Sequence, residues 1–425
     1  MFLVAIGSAR LALIGTGACS QGDEYLYWYS ARMLLGASHG DLAATFAPLA
    51  ETQGRPGLAL LQLIPLAAQS VLFKLLGLDP RCPTSLLIPQ VWNVLISFIG
   101  AVFFYKVSLR AFNFSNEKSA WLTVAFSLLA GSNLYVRHML PYDCSLYFFL
   151  FVIWMIFTEK RDFLIGFACC FAYSTYPGYV TLGGIVFLLF LYKKSINIVE
   201  KSIIAIAALR FIFGFVALLF IYEIMYRLGG KSFYENTLFG GQEFLKYLKS
   251  ERMGSTVFFS KYLWTVEGVP GLILAVGTVV FFGFFLKKIA HRARLSALDI
   301  LAVGLIAAFA FQSAIGWVSG REAFYGRLFR PYPMVMVWLA GAAFFPFFEK
   351  TDIPAFNKKV VMTVILGSFL THFALFFIEF RGLGYPRDLF YEMGLVQPAN
   401  GLDYDIKSKT PPEDGLRRFT EFEPW

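Results

Sequence analysis

Apolar segments close to the length of a membrane span recur along most of this chain. A helix needs about 20 mostly apolar residues to cross a bilayer. Inside lipid its backbone must satisfy its own hydrogen bonds, so the sequence predicts an all-α, polytopic membrane protein. Eleven segments are predicted to span: Phe2–Ala18, Thr84–Tyr105, Lys118–Tyr135, Asp143–Phe157, Phe163–Tyr176, Gly178–Tyr192, Ile203–Tyr226, Val269–Leu286, Leu298–Val318, Tyr332–Phe348 and Val360–Phe380.

Composition and charge distribution agree with this interpretation. Apolar residues make up 57% of the chain and charged residues 15%, and the mean hydropathy is +0.61. A soluble domain carries about 25% charged residues. The net charge of +9 resides largely in short basic clusters that follow apolar segments, which is the positive-inside pattern and not a nucleic-acid-binding stripe. These clusters are Lys106/Arg110, Lys160/Arg161, Lys193/Lys194, Lys287/Lys288 with Arg292/Arg294, and Lys358/Lys359.

The clusters fix a topology with the N-terminus inside. Residues 1–380 then form the membrane domain, with residues 19–83 and 227–268 as large extracytoplasmic loops and residues 381–425 as a polar extracytoplasmic tail. The apolar part of the first loop is Leu58–Leu76. With Pro56 just before it and Pro65, two glutamines and a lysine within it, it suits a helix at the interface better than a span. We read the first segment as a span and not as a signal peptide, because it lacks a basic start. The polar tail could dock a membrane-protein partner.

The five cysteines have no metal-binding spacing. Cys144, Cys169 and Cys170 lie in apolar segments and are predicted to be small buried residues. Cys19 and Cys82 flank the first outer loop, and the sequence leaves open whether they form a disulfide.

Several charged groups are candidates for chemistry on the outer face. Asp23 and Glu24 follow the first helix directly, although a solvated loop start would look the same. Arg321, Arg327 and Arg330 precede a proline-initiated helix. The guanidinium fork matches phosphate oxygens, and contact with lipid headgroups is the alternative. Further candidates on this face are Arg55, Arg137, His138 and Asp143. Arg10 and Arg210 lie inside apolar segments and receive no catalytic role.

The order of these motifs resembles a known family. The first outer loop runs from Gly22-Asp23-Glu24-Tyr25 through Arg55-Pro56-Gly57 to Phe73-Lys74-Leu75-Leu76-Gly77. Arg137-His138-Met139-Leu140-Pro141-Tyr142-Asp143 and Tyr325-Gly326-Arg327-Leu328-Phe329-Arg330-Pro331 follow at later helix ends. Together they resemble the GT-C superfamily of glycosyltransferases, in the branch of lipid A aminoarabinose transferases and protein O-mannosyltransferases. The likeness covers roughly residues 1–350. The family's Arg-x-x-Leu-Pro-Asp turn has one residue inserted here, before Asp143.

The resemblance implies a polyprenyl-phosphate sugar as donor and an outward-facing site, as in a bacterial inner membrane. The acceptor would be a hydroxyl of a glycolipid, a polysaccharide or a protein. Glycosyl transfer needs a base for the acceptor proton and cations for the departing phosphate. Asp23 is the candidate base with Glu24 second. Asp143 is a candidate for positioning the acceptor, and His138 could share proton transfer. The candidates for substrate binding are the five arginines of the outer face, Arg55, Arg137, Arg321, Arg327 and Arg330. No tightly bound metal is expected, although Asp23 and Glu24 could hold a divalent cation loosely.

Three other functions fit a polytopic chain of this kind. A polysaccharide polymerase or ligase would use a lipid-linked oligosaccharide in place of a single sugar. A transporter or flippase for lipid-linked sugars is expected to carry ionisable residues near the middle of the membrane. A non-catalytic membrane subunit derived from the same fold is the third alternative.

Overall fold

The computed structural model describes residues 2–12, 14, 26–52, 54–78, 87–133, 136, 141–198, 200–238, 258–319, 326–350 and 355–383. These residues form helices and the turns between them, with no strand among them. The helices are labelled α1 Phe2–Ala12, α2 Leu26–Ser38, α3 Leu42–Phe46, α4 Pro56–Leu75, α5 Leu87–Arg110, α6 Asn116–Leu128, α7 Pro141–Phe157, α8 Asp162–Thr175, α9 Val180–Asn197, α10 Lys201–Leu228, α11 Gly268–Ala290, α12 Ala297–Ser319, α13 Pro331–Lys350 and α14 Ala355–Leu383.

Shorter elements connect some of these helices. Turns of 3-10 helix cover Ala47–Glu51 and Pro177–Tyr179, and residues 233–238 form a short helix. A π-helix, Phe258–Val266, leads into α11, and a single turn, Gly326–Phe329, precedes α13.

Seven helices of the described part are long and apolar enough to cross a membrane, and three shorter ones are strongly apolar. The seven are α4, α5, α9 with the preceding 3-10 turn, α10, α11, α12 and α14; the shorter three are α7, α8 and α13. The chain is therefore an integral membrane protein. The predicted count of eleven spans remains a prediction.

One predicted span is wrong in its second half. Lys118–Tyr135 was expected to be continuous, but α6 ends at Leu128. The amide of Asn133 donates to the carbonyl oxygens of Ser127 (2.9 Å) and Leu129 (2.7 Å). These bonds satisfy the orphan carbonyls of a helix end and fold the chain into a turn, because a side-chain donor competes with the next helical N–H.

Close helix packing depends on small residues. A Cβ added to Gly166 on α8 would lie 1.9 Å from the Phe211 carbonyl oxygen on α10. One added to Gly214 on α10 would lie 2.0 Å from the Phe163 carbonyl oxygen on α8. The two glycines thus let the backbones touch reciprocally, a packing mode common between membrane helices. Cys144, Cys169 and Cys170 are buried, as predicted, whereas Cys19 and Cys82 lie outside the described residues.

The basic clusters gather at one end of the bundle, which we call the basic end. Lys194 pairs with Asp162 at 2.7 Å and Lys193 with Glu159 at 3.2 Å. Lys288 pairs with Asp299 at 2.9 Å. Lys106 and Lys160 both lie over the Trp154 ring. The Tyr192 hydroxyl of α9 donates to the carbonyl oxygen of Leu295, just before α12. The hydrogen bond to Lys193 holds the pKa of the exposed Glu159 carboxyl below its usual value.

We call the opposite end of the bundle, away from the basic clusters, the site end. Here α1 and α6 end, α7, α11 and α13 begin, and α8 turns into α9. Helix α4 begins at this end too, because a Cβ at Gly57 would lie 2.5 Å from Ser174 Oγ, near the end of α8. Its later residue Gln69 accepts a hydrogen bond from Tyr27, near the start of α2. The interfacial position of Leu58–Leu76 remains a prediction, since α4 is also long and apolar enough to cross a membrane.

Candidate active site

A buried ion pair joins two helix starts at the site end. Asp143 lies in the first turn of α7, and Arg330 directly precedes α13. Arg330 Nη1 lies 2.6 Å from Asp143 Oδ1, with only 4% and 7% of the two residues exposed. The helix dipole favours a carboxylate in a first turn. Burial makes an unpaired charge costly, so each group depends on the other.

A second arginine, Arg10, lies beside this pair. Its guanidinium donates to Asn133 Oδ1 (2.8 Å), Ser97 Oγ (3.1 Å) and the Ser127 carbonyl oxygen (3.2 Å). Arg10 is 2% exposed, and its charge interacts with those of Asp143 and Arg330. The end of α1 is thereby fastened to the turn that follows α6.

The carboxylate of Glu267 holds the opposite side of that turn. Its two oxygens accept the backbone N–H groups of Ala130 and Gly131, each at 3.0 Å. A side chain at position 131 would displace this arrangement, because a Cβ added to Gly131 would lie 2.4 Å from Tyr262 Oη and 2.6 Å from Glu267 Oε1. Burial raises the pKa of Glu267 to about 7, and the two N–H groups oppose the rise.

Arg10, Asp143, Glu267 and Arg330 make up what we call the buried charged cluster. Arg330 interacts electrostatically with the other three. Both Arg10 and Glu267 bind residues 127–133. Arg10 donates hydrogen bonds to oxygen atoms of this turn, and Glu267 accepts hydrogen bonds from its backbone N–H groups. Through Asp143 the cluster also includes the first turn of α7.

Aromatic rings border the cluster on the side of α4. The Arg55 guanidinium lies 5.6 Å from the centroid of the Tyr176 ring, within the range of a cation–π interaction. Tyr176 packs edge-to-face on Tyr142 at 4.7 Å and on Tyr179 at 4.9 Å. Tyr142 precedes Asp143, so the ring contacts connect Arg55 to the cluster.

The residues predicted from sequence divide into two groups. Asp143 and Arg330 are brought into contact, and Arg55 lies at the same end. The others lie outside the described residues or, in the case of Arg327, on a turn whose side chain is not described: Asp23, Glu24, Arg137, His138, Arg321 and Arg327. Within the described part, no group of three His, Cys, Asp or Glu side chains could hold a metal ion.

Two members of the cluster were missed. Arg10 had been given no catalytic role, and Glu267 had not been singled out. The available signal was an ionisable residue inside or at the edge of an apolar segment, which in membranes usually faces protein or water and marks a functional site. Arg210 carries the same signal but belongs to no such cluster in the part described.

The helices and the buried charged cluster define a polytopic α-helical membrane protein with a charged site at one end of its bundle. No protein-family model and no curated protein matches the sequence. Among solved structures, the chain is similar to ArnT from Cupriavidus metallidurans bound to undecaprenyl phosphate. The identity is 14% and the TM-score 0.49, over 99% of this chain and 75% of ArnT.

Proposed function

We propose that this protein is a GT-C-type glycosyltransferase that moves one sugar from a polyprenyl-phosphate donor to a hydroxyl acceptor on the extracytoplasmic face. The acceptor is a glycolipid, a polysaccharide or a protein. The observation that supports the proposal is the buried charged cluster at the end of an otherwise apolar bundle. A lipid-phosphate donor needs such a place, because its tail stays in the bilayer while its head group meets polar residues.

An apolar groove lies deeper in the bundle than the cluster, toward the basic end. It lies between α6, α11, α13 and α14, and its lining is entirely apolar, including Leu122, Leu274, Val337 and Phe369. Leu274 and Val337 each lie seven residues beyond a cluster member, Glu267 and Arg330 respectively. Seven residues of helix rise about 10 Å. The occupant we assign to the groove is the polyprenyl chain, with its phosphate toward Arg330.

The chemistry of glycosyl transfer assigns roles to two groups of charged residues, the carboxylates of Asp23, Glu24 and Asp143 and the guanidinium groups of Arg327 and Arg330. The acceptor oxygen bonds to the anomeric carbon while the bond from that carbon to the phosphate oxygen breaks. The bonding pair leaves with polyprenyl phosphate, and the acceptor proton passes to the carboxylate of Asp23 or, failing that, Glu24. Arg327 and Arg330 stabilise the charge that grows on the phosphate. Asp143 orients Arg330, and no step requires a metal, although a loosely held divalent cation at Asp23 and Glu24 is compatible with it.

The test compares lipids and glycans of cells with and without this gene by mass spectrometry. We expect deletion to accumulate a polyprenyl-phosphate monosaccharide and to remove one sugar from a glycan. The wild-type gene should restore the sugar, and a gene encoding Asp23→Asn should not. Accumulation of a lipid-linked oligosaccharide would indicate a polymerase or ligase instead. Identical profiles in both strains would contradict the proposal.

A further inference from the structure

The buried face of α4 carries three long polar side chains at seven-residue spacing: Arg55 just before the helix, then Gln62 and Gln69. Because seven residues make nearly two full turns, the three project from the same side of the helix. Gln69 is satisfied by the Tyr27 hydroxyl. Gln62 is completely buried, and among the described residues neither its amide oxygen nor its amide nitrogen has a hydrogen-bond partner.

A second glutamine of this kind lies on α5. Gln90 is 3% exposed, and its Oε1 has no hydrogen-bond partner in the described part. It shares a helix face with Asn93 and Ser97. Ser97 accepts a hydrogen bond from Arg10, and Asn93 lies against Cys144, the neighbour of Asp143. The face of α5 that bears Gln90 is therefore the face that meets the buried charged cluster.

The helices that carry the two glutamines, α4 and α5, pack on each other. Helix α7 packs on α5 and on α8, and α4 packs on the same two helices. Since α4 begins against the end of α8, it bridges α8 and α5 at the end of the bundle where α7 begins with Asp143. Buried amides without partners are unfavourable, and apolar side chains of similar size would fill the same volume. Both amides are buried and lack these partners among the described residues, so a polar ligand that enters here would complete them.

We infer that Gln62 and Gln90 bind the hydroxyl groups of a sugar held between α4 and the start of α7, an inference that rests on the proposed function. An amide offers both an acceptor oxygen and N–H donors, and a sugar hydroxyl both donates and accepts. A phosphate dianion only accepts, so it cannot satisfy the oxygens of Gln62 and Gln90. The arginines would then bind the phosphate of the donor, and the glutamines would bind the sugar.

The experiment uses the full-length protein in nanodiscs and two synthetic lipids, a polyprenyl-phosphate hexose and polyprenyl phosphate without sugar. For Gln62→Leu and Gln90→Leu, we expect affinity for the sugar-bearing lipid to fall about tenfold, roughly the effect of one or two hydrogen bonds. Affinity for the bare lipid should not change. If instead the acceptor KM rises tenfold at constant donor affinity, the glutamines bind the acceptor sugar, which also supports the inference.

A structural role for the glutamines predicts a different pattern. Loss of a structural hydrogen bond would lower the melting temperature of the ligand-free protein, whereas replacement of an unsatisfied amide by leucine should leave it unchanged or raise it. The control is Gln69→Leu on the same face, which should lower stability without changing the affinity ratio of the two lipids. Wild-type donor affinity and acceptor KM in both leucine variants would overturn the inference alone. Failure of the wild type to bind either lipid would overturn the proposed function as well.

Discussion

At the residue scale, the contact between Asp143 and Arg330 is the interaction on which the site depends most. A buried ion pair seldom adds net stability, because desolvation offsets the Coulomb attraction, but removal of one partner strands the other charge. Arg10 and Glu267 are held differently, by hydrogen bonds to neutral groups of one turn. Substitutions in this pair can therefore distinguish the effect of one unpaired charge on stability from the effect of removing both charges.

We expect Asp143→Asn to lower the free energy of unfolding by about 3–5 kcal/mol, since Arg330 would be left buried without its counter-charge. The double variant Asp143→Leu with Arg330→Met should regain most of that stability, because apolar residues of similar volume remove both desolvation costs. Thermal unfolding of the purified protein in one detergent measures both effects. Sugar transfer should be lost in both variants. A wild-type midpoint for Asp143→Asn would show that the two side chains are not a buried pair.

The sequence predicted Asp143 and Arg330 separately but not their contact, because the two lie almost two hundred residues apart and each had a local explanation. Arg10 and Glu267 were harder still. Their partners are backbone groups and an amide of residues 127–133, and that turn exists only because α6 ends at Leu128. The local signal for that helix end is Gly131-Ser132-Asn133, which interrupts the apolar run of Lys118–Tyr135 and was not used in predicting the span.

At the element scale, hydrophobic runs predicted the helices well because lipid leaves the backbone little alternative. The predicted segment Ile203–Tyr226 lies within α10, Lys201–Leu228, and Leu298–Val318 lies within α12, Ala297–Ser319. Edges moved by a few residues where basic side chains extend the last turn, as at Arg110 of α5. Which faces of these helices meet was not predictable, since lipid-facing and protein-facing residues are equally apolar.

The contact between α8 and α10 gives a test at this scale. Gly166→Ala or Gly214→Ala would bring a methyl group against a carbonyl of the partner helix. We expect either change to destabilise the protein by about 1–3 kcal/mol, the usual range for overpacking. Gly183→Ala on α9 is the matched control, because no heavy atom lies within 4 Å of its added Cβ. Equal melting temperatures for all three variants would contradict the packing of α8 on α10.

A second test at this scale concerns the position of α4 relative to the membrane. If α4 lies at the interface of the site end, a cysteine at the exposed position Lys74 should react with a membrane-impermeant maleimide on the same side as the site. A helix that crosses the membrane would carry Lys74 toward the basic end. Labelling of Lys74→Cys only after the membrane is opened would therefore make α4 a span.

At the scale of the whole molecule, the basic clusters define the two ends, and the positive-inside rule assigns the basic end to the cytoplasm. Cysteines at Lys193 or Lys288 should then be protected in intact cells, while cysteines at Asp23, Arg327 and in the tail after Arg381 should react from outside. Labelling of the Lys193 or Lys288 positions from outside would invert the topology and move the site to the cytoplasmic face.

The central claim, sugar transfer at the site end, is tested most directly with purified protein in nanodiscs. The measurement is release of polyprenyl phosphate from a polyprenyl-phosphate sugar in the presence of acceptor. We expect Asp23→Asn to lower the transfer rate by a factor of about 10² to 10⁴, the usual effect of losing a general base, with donor binding retained. Glu24→Gln should cost less. A wild-type rate in both variants, or no release by the wild type from any donor tested, would contradict the account.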